Sequence, residues 1–222
     1  NNIGCDQVIL IEEDSSGKIF IKFYNSDGGE TSACGNGTRC IAYLLMKENN
    51  KKKITLRTKA GDLEAELSDK NLITVNMGEP NFEWNKIPLL KDMDNKNLKI
   101  TIHDTDGKEI VGGFSLGIGN PHVIFFVENF NKIDLKNIGP KIENHVFFPK
   151  KCNVTLASIE NRNHMKIKVW ERGAGLTKAC GTAACAAGVA GSVLNLNERC
   201  VNVEFTEGIL EINWKKDNNI YI

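Results

Sequence analysis

Cys34 and Cys180 each stand directly before a glycine and a small polar residue. One lies in Thr31-Ser-Ala-Cys-Gly-Asn-Gly-Thr-Arg-Cys40, the other in Thr177-Lys-Ala-Cys-Gly-Thr-Ala-Ala-Cys185. Each motif runs into a helix-like segment. A cysteine at a helix start sits at the positive end of the macrodipole, among unpaired N–H groups. That placement predicts a lowered thiol pKa and an accessible thiolate near neutral pH. Gly35 and Gly181 let the backbone approach a ligand closely. Asn36 and Thr182 add polar groups at the same turns, and the N–H clusters suit a carboxylate or phosphate. Two like groups on opposite sides of a carbon suit inversion of a stereocentre. One removes a proton as thiolate and the other delivers one as thiol, and the roles exchange with direction. A conjugated carboxylate would gain enolate-like charge, which helix N-termini stabilise.

The surrounding chain reads as two copies of one build. The cysteines stand 146 residues apart, and five of thirteen residues are identical between Tyr24–Asn36 and Trp170–Thr182. Cys5–Ile9 resembles Cys152–Leu156, and Ile19–Tyr24 resembles Met165–Trp170. Gly61, Leu63 and Glu64 are answered by Gly208, Leu210 and Glu211. A long period repeated once describes two related domains and not a solenoid. The expected fold class is α+β. Two pseudo-symmetric domains each form a mostly antiparallel, barrel-like strand shell around one central helix, with the active site in the cleft between them. The domains are expected at residues 1–78 and 99–222, the first open to completion by the C-terminal end of the chain. Residues 79–98, with two of the five prolines, read as an irregular surface connector.

Locally, residues 8–11 read as a buried strand, paired across the turn Asp14-Ser-Ser-Gly17 with Lys18–Tyr24. Thr38–Glu48 reads as a helix with Ile41, Leu44 and Leu45 on one face. Ile54–Thr58, Asp62–Leu67, Ile73–Met77, Lys99–His103, Ile110–Ile118 and Val123–Val127 read as strands, and Asp134–Glu143 as a short helix. Gly119-Asn-Pro-His122 reads as a tight turn that delivers an Asn and a His together.

Composition excludes other classes. Lys+Arg and Asp+Glu both number 28 in 222 residues, so charge favours neither nucleic acid nor an anionic membrane. No apolar run approaches the roughly 20 residues of a membrane span. Seven cysteines without a Cys-x-x-Cys argue against a disulfide framework or a zinc site and for a reducing cytoplasm. Cys5, Cys40, Cys152, Cys185 and Cys200 read as small buried hydrophobes. His103, His145 and His164 lack ligand spacing, so no metal is expected. Asn25 and Glu171 follow the second strand of each half, while Gln7 and Asn153 lie near the first. Taken singly, each is a turn former or solvated residue, and Glu171-Arg172 is a surface pair.

Together these segments resemble the diaminopimelate epimerase family. Ala33–Cys40 and Glu171–Thr182 look like its two active-site motifs. Gly4–Gln7, Tyr24–Gly28, Gly119–His122 and Asn153-Val154 fall in its order and spacing, so the resemblance covers essentially the whole chain. It implies a cofactor-independent isomerase that interconverts LL- and meso-2,6-diaminopimelate in lysine synthesis. By resemblance Cys34 and Cys180 are the acid/base residues, and His122 and Glu171 support them. Gln7, Asn25, Gly35, Asn36, Asn120, Asn153, Glu171, Arg172, Gly181 and Thr182 match substrate-contacting positions. The Asn-rich set suits a substrate with two amino-acid ends, and Arg172 can take the distal carboxylate as a fork. The expected partner is thus a small molecule, with no nucleic acid and no membrane. A homodimer is admitted, though the sequence leaves the oligomeric state open. Family members carry an N-terminal strand and a Gly-Asn-Asp-Phe motif ahead of the point where this chain begins. They usually have Glu where this chain has Leu176.

Other readings are a related proline-type racemase, a thiol redox protein and a non-catalytic amino-acid-binding protein. Cys34-Gly-Asn-Gly37 and Glu171-Arg172 favour the diaminopimelate form over the first, and the lack of Cys-x-x-Cys counts against the second.

Overall fold

A computed structural model of the chain describes all residues except 1–3, 6, 26–27, 32–33, 60, 69–71, 104–106 and 108; the side chains of Asn25 and Thr31 also lie outside it. Two compact units are present. One takes in residues 1–78 and Tyr221, the other residues 79–220 and Ile222.

The first unit contains strands β1 (Gln7–Glu13), β2 (Ile19–Asn25), β3 (Glu30–Thr31), β4 (Lys53–Thr58), β5 (Gly61–Leu67) and β6 (Ile73–Val75), with helix α1 (Gly35–Glu48). The sheet order is β1-β2-β4-β5-β6, with β3 on β2. All its pairs are antiparallel except β2–β4, which is parallel because the chain crosses over through α1. Helix α1 packs on β4, β5 and β6 and buries Ile41, Ala42 and Met46. Its first turn approaches the sheet so closely that a Cβ on Gly37 would lie 2.8 Å from Ile9 Cδ1 and Phe23 Cε1. Only glycine fits there.

The second unit contains β7 (Ile100–His103), β8 (Glu109–Gly112), β9 (Phe114–Gly117), β10 (Pro121–Phe126), β11 (Asn153–Asn161), β12 (His164–Glu171), β13 (Gly175–Thr177), β14 (Cys200–Phe205) and β15 (Gly208–Trp214), and β16 (Ile220–Tyr221) pairs on β15 although Tyr221 counts with the first unit. Its helices are α2 (Leu135–Glu143) and α3 (Gly181–Val193). The large sheet runs β16-β15-β14-β12-β11-β10-β9, with β13 on β12. Strands β11, β12 and β13, helix α3, then β14 and β15 repeat the order and pairing of the first unit from β1 to β5. The β12–β14 pair is likewise parallel. Helix α3 packs on β9, β10, β11, β14 and β15. Its Ala- and Gly-rich sequence, GTAACAAGVAGSV, suits this. A helix buried on every side needs small residues to let strands close around it, and Gly188 would put a Cβ only 3.2 Å from Ile212 and Val201.

Several expectations are corrected. Residues 79–98 hold no named helix or strand, and within them Ile87, Leu89 and Leu98 are buried with residues of α2, β7 and β10 in one core cluster. Ile110–Ile118 is not one strand. Gly112 and Gly113, with φ of 119° and 107°, divide it into β8 and β9, a conformation that side-chain-bearing residues rarely adopt. Strand β1 is not buried, since it is the edge of its sheet and Val8, Leu10 and Ile11 are 55%, 42% and 42% exposed. On α1, Leu44 is 49% exposed, because Ala42 and Met46 take the inner face. Cys5, Cys40 and Cys200 are exposed, whereas Cys152 and Cys185 are buried as expected. The short helix expected at Asp134–Glu143 is present as α2, beside the central helix of the second unit.

Candidate active site

Each helix of the repeat is capped by its cysteine. Cys34 (φ −142°, ψ 106°) caps α1 and Cys180 (φ −141°, ψ 112°) caps α3. The two caps share one extended backbone geometry. The Cys34 carbonyl accepts from Thr38 N (2.8 Å) and the Cys180 carbonyl from Ala184 N (3.0 Å). No disulfide joins any of the seven cysteines.

The two thiols differ in surroundings. Cys34 is half-buried, and its Sγ accepts from Gly37 N at 3.4 Å. Cys180 is 7% exposed and makes no side-chain cap bond. Its Sγ lies 3.5 Å from Thr182 Oγ1. Burial pushes the Cys180 thiol well above its usual range, and the neighbouring Glu171 carboxylate pushes it further. The Thr182 hydroxyl and the Ala183 N–H oppose this and lose. The expectation that a helix start lowers both thiol pKa values is therefore overturned at Cys180. Desolvation of a buried thiolate outweighs the partial charge of a helix end.

Around Cys180 the second unit assembles a polar chain. Asn120 Nδ2 donates to Thr182 Oγ1 (3.4 Å), and Asn120 Oδ1 meets His122 Nε2 at 2.8 Å. That assigns the imidazole proton to Nε2 and leaves Nδ1, buried and without a hydrogen-bond partner among the described residues, as an acceptor. His122 lies in strand β10 and not in the preceding turn, because Pro121 already pairs with Gly117. Strand β10 runs parallel to β11, with His122 opposite Asn153. Asn153 Nδ2 donates to the Pro121 carbonyl (3.0 Å), while its Oδ1 accepts Arg172 N (3.0 Å). Arg172 Nη1 donates to the Lys150 carbonyl (3.1 Å), and Thr177 Oγ1 donates to Glu171 Oε1 (2.6 Å). Asn120, His122, Asn153, Glu171, Arg172, Gly181 and Thr182 are thus linked to Cys180 or to one another.

In the first unit, Gly35 and Asn36 follow Cys34 in the first turn of α1, where Asn36 Oδ1 accepts from Arg39 Nη2 (3.2 Å). Gln7 stands opposite Asn25 in the β1–β2 ladder, at the end where the chain leaves for β3 and α1. The Asn25 side chain and residues Ser26, Asp27 and Ala33 of the motifs lie outside the described residues. A cavity of about 760 Å³ in this unit, lined by residues that include Ile11, Leu45, Arg57 and Tyr221, touches neither cysteine motif.

Burial holds His122 at a pKa of about 3, with the Arg172 guanidinium lowering it further. The imidazole is neutral throughout the working range. The folded pKa lies below the unfolded value of 6.5, so this group's contribution is fully present above pH 6.5. It is lost as pH falls toward 3, by roughly 1.4 kcal/mol per pH unit. Urea denaturation at pH 7 and pH 4.5 is expected to show a drop about 2 kcal/mol larger for the wild type than for His122→Gln. Equal pH slopes would refute the buried neutral imidazole.

Glu143, Trp170, Thr177 and Arg39 join the site as partners that no sequence motif marks. Glu143 lies 28 residues before Glu171 and carries no local pattern. Leu176 lies opposite Trp170 in the β12–β13 ladder, 37% exposed.

The fold has solved counterparts. A hydroxyproline epimerase from Agrobacterium vitis matches 97% of this chain and 70% of its own, with a TM-score of 0.66 at 12% identity. A putative phenazine biosynthesis PhzC/PhzF protein from Clostridium difficile (strain 630) matches 98% and 78%, with a TM-score of 0.64 at 14% identity. These place the chain in a class of strand-rich, two-domain α+β proteins built around central helices. Sequence narrows the class. The diaminopimelate epimerase family model matches residues 1–83 and 114–222. The diaminopimelate epimerase of Pelagibacter ubique (strain HTCC1062) is 52% identical over 220 residues, 99% of this chain and 80% of that protein. That of Caulobacter sp. (strain K31) is 44% identical over 217 residues, 96% and 75%. The chain belongs to the diaminopimelate epimerase family.

Proposed function

We propose that this protein is an isomerase that interconverts LL- and meso-2,6-diaminopimelate in lysine biosynthesis, by proton transfer at the α-carbon between two cysteines. The observation that carries the mechanism is the pair of equivalent helix caps, Cys34 and Cys180, with matching backbone angles. Cys34, half-buried, accepts the Gly37 N–H. Cys180, buried beside the Glu171 carboxylate, is the resting thiol. In one direction the Cα–H bond breaks, its proton goes to Cys34 Sγ, and the electron pair delocalises onto the α-carboxylate. Cys180 then gives its proton to the opposite face of the carbon. In the other direction the roles exchange. The α-carboxylate rests against the N–H groups of the first helical turns, where charge that develops in the transition state is stabilised. His122 Nδ1 is an acceptor for a substrate or thiol proton, held by the Asn120 contact. Arg172 takes the distal carboxylate, its Nη1 anchored on the Lys150 carbonyl. No cofactor takes part. The cytoplasm is the compartment that suits an odd count of seven cysteines without a Cys-x-x-Cys.

The test is incubation of the reduced protein with LL-diaminopimelate in deuterated water, without pyridoxal phosphate. Deuterium at the α-carbon and formation of the meso isomer are expected. Absence of exchange overturns the reading. A preference for proline enantiomers over diaminopimelate would redirect it to a proline-type racemase.

A further inference from the structure

We propose that Glu143 is a positioning residue for the Glu171–Arg172 turn. The inference rests on the reading that these two residues serve the substrate site. Glu143 ends α2 and is 5% exposed. Its Oε2 accepts the indole Nε1–H of Trp170 at 2.7 Å, and its Oε1 accepts the backbone N–H of Gly173 at 3.1 Å. Trp170 directly precedes Glu171, and Gly173 directly follows Arg172. One carboxylate therefore grips the chain on both sides of the pair.

Sequence and packing make that grip rigid. Gly139, one turn earlier on α2, would place a Cβ 2.6 Å from the Trp170 ring, so the indole lies directly on the helix. Gly173 takes φ +76° and Gly175 φ +82°, which aims the turn back toward α2. Lys151 Nζ stands 3.8 Å from Oε1 as a partial counter-charge. A buried carboxylate is costly unless its oxygens are bonded, and here each oxygen accepts one N–H. Charge-assisted bonds are the stronger kind. Glutamine cannot replace both: its oxygen can accept one N–H, and its NH2 then faces the other donor. Asn153 and the Lys150 carbonyl also hold Arg172, while Glu143 ties the turn to a helix and to the residue before Glu171. Displacement of catalytic and binding groups by about 1 Å costs up to 10²-fold in rate, so this latch governs how well the turn meets the substrate.

Steady-state kinetics of the wild type, Glu143→Gln, Glu143→Ala and Trp170→Phe test this at a temperature where circular dichroism shows each folded. Glu143→Gln is expected to raise KM for diaminopimelate about tenfold and to change kcat less than threefold. Trp170→Phe keeps the Gly173 bond and is expected to shift KM by less than Glu143→Gln does. Glu143→Gln and Trp170→Phe carry the test where Glu143→Ala does not fold. A lowered melting temperature with unchanged KM in both would overturn the positioning role and leave the functional reading intact. A wild type that turns over no diaminopimelate would overturn the functional reading itself.

Discussion

Cys34→Ser and Cys180→Ser are each expected to lower epimerisation by at least about 10³-fold while leaving the fold unchanged. A positioned general acid or base contributes roughly 10²–10⁴-fold, and here one variant lacks the base and the other the acid for each direction. Serine is the appropriate substitution, because Cys34 accepts the Gly37 N–H. A hydroxyl keeps an N-cap acceptor, whereas alanine would forfeit about 1 kcal/mol of helix stability. The decisive readout is isotope exchange. The variant that retains Cys34 should exchange the α-hydrogen of one diaminopimelate isomer, and the variant that retains Cys180 that of the other. The double variant should exchange neither. Nuclear magnetic resonance in deuterated water distinguishes these results. Single variants that both exchange both isomers would exclude the division of labour between the thiols.

Gly191→Ala is expected to destabilise the second unit by about 3 kcal/mol. Alanine ordinarily favours a helix interior over glycine by about 1 kcal/mol, so propensity alone has the opposite sign. Packing decides the outcome. A Cβ on Gly191 would overlap Asn197 Oδ1 and lie 3.0 Å from its Cγ. Asn197 is buried, and its Nδ2 donates to the carbonyls of Gly188 (3.0 Å) and Glu198 (2.7 Å). Expelling that side chain strips donors from two carbonyls, each costing about 1–3 kcal/mol where buried. The melting temperature should fall by roughly 10 °C for a unit of this size. A melting temperature at or above the wild-type value would show that the loop after α3 moves aside without cost.

The features legible in the sequence are local or repeated. The Cys-Gly turns mark both helix starts because capping is decided within four residues. The paired halves were visible because strand patterning and glycines recur at nearly constant spacing. Failures have a common physical origin. Val8, Leu10 and Ile11 look like core, but edge position is a property of sheet order and not of the strand. Cys40 looks as prominent as Cys34, yet it turns outward on α1. The Cys180 pKa shift reverses expectation because helix-end charge is a local term and burial is a tertiary one. The burial of Ile87, Leu89 and Leu98 is not legible because irregular chain places side chains in a core without a repeating period. Glu143 was missed because its partners lie 27 and 30 residues away.

The parallel β10–β11 pair has a consequence in time. His122 and Asn153 become neighbours only when the 26 residues between these strands, with α2 among them, have closed back onto the sheet. Antiparallel hairpins such as β14–β15 close over two residues and form early, whereas a parallel crossover must lose the entropy of a long loop before any contact rewards it. The pairing of His122 with Asn153 and the Asn153 bond to the Pro121 carbonyl are therefore among the last to form as the chain folds. Turnover becomes a late clock of folding: during refolding it should rise with the slowest phase, after strand content has already appeared.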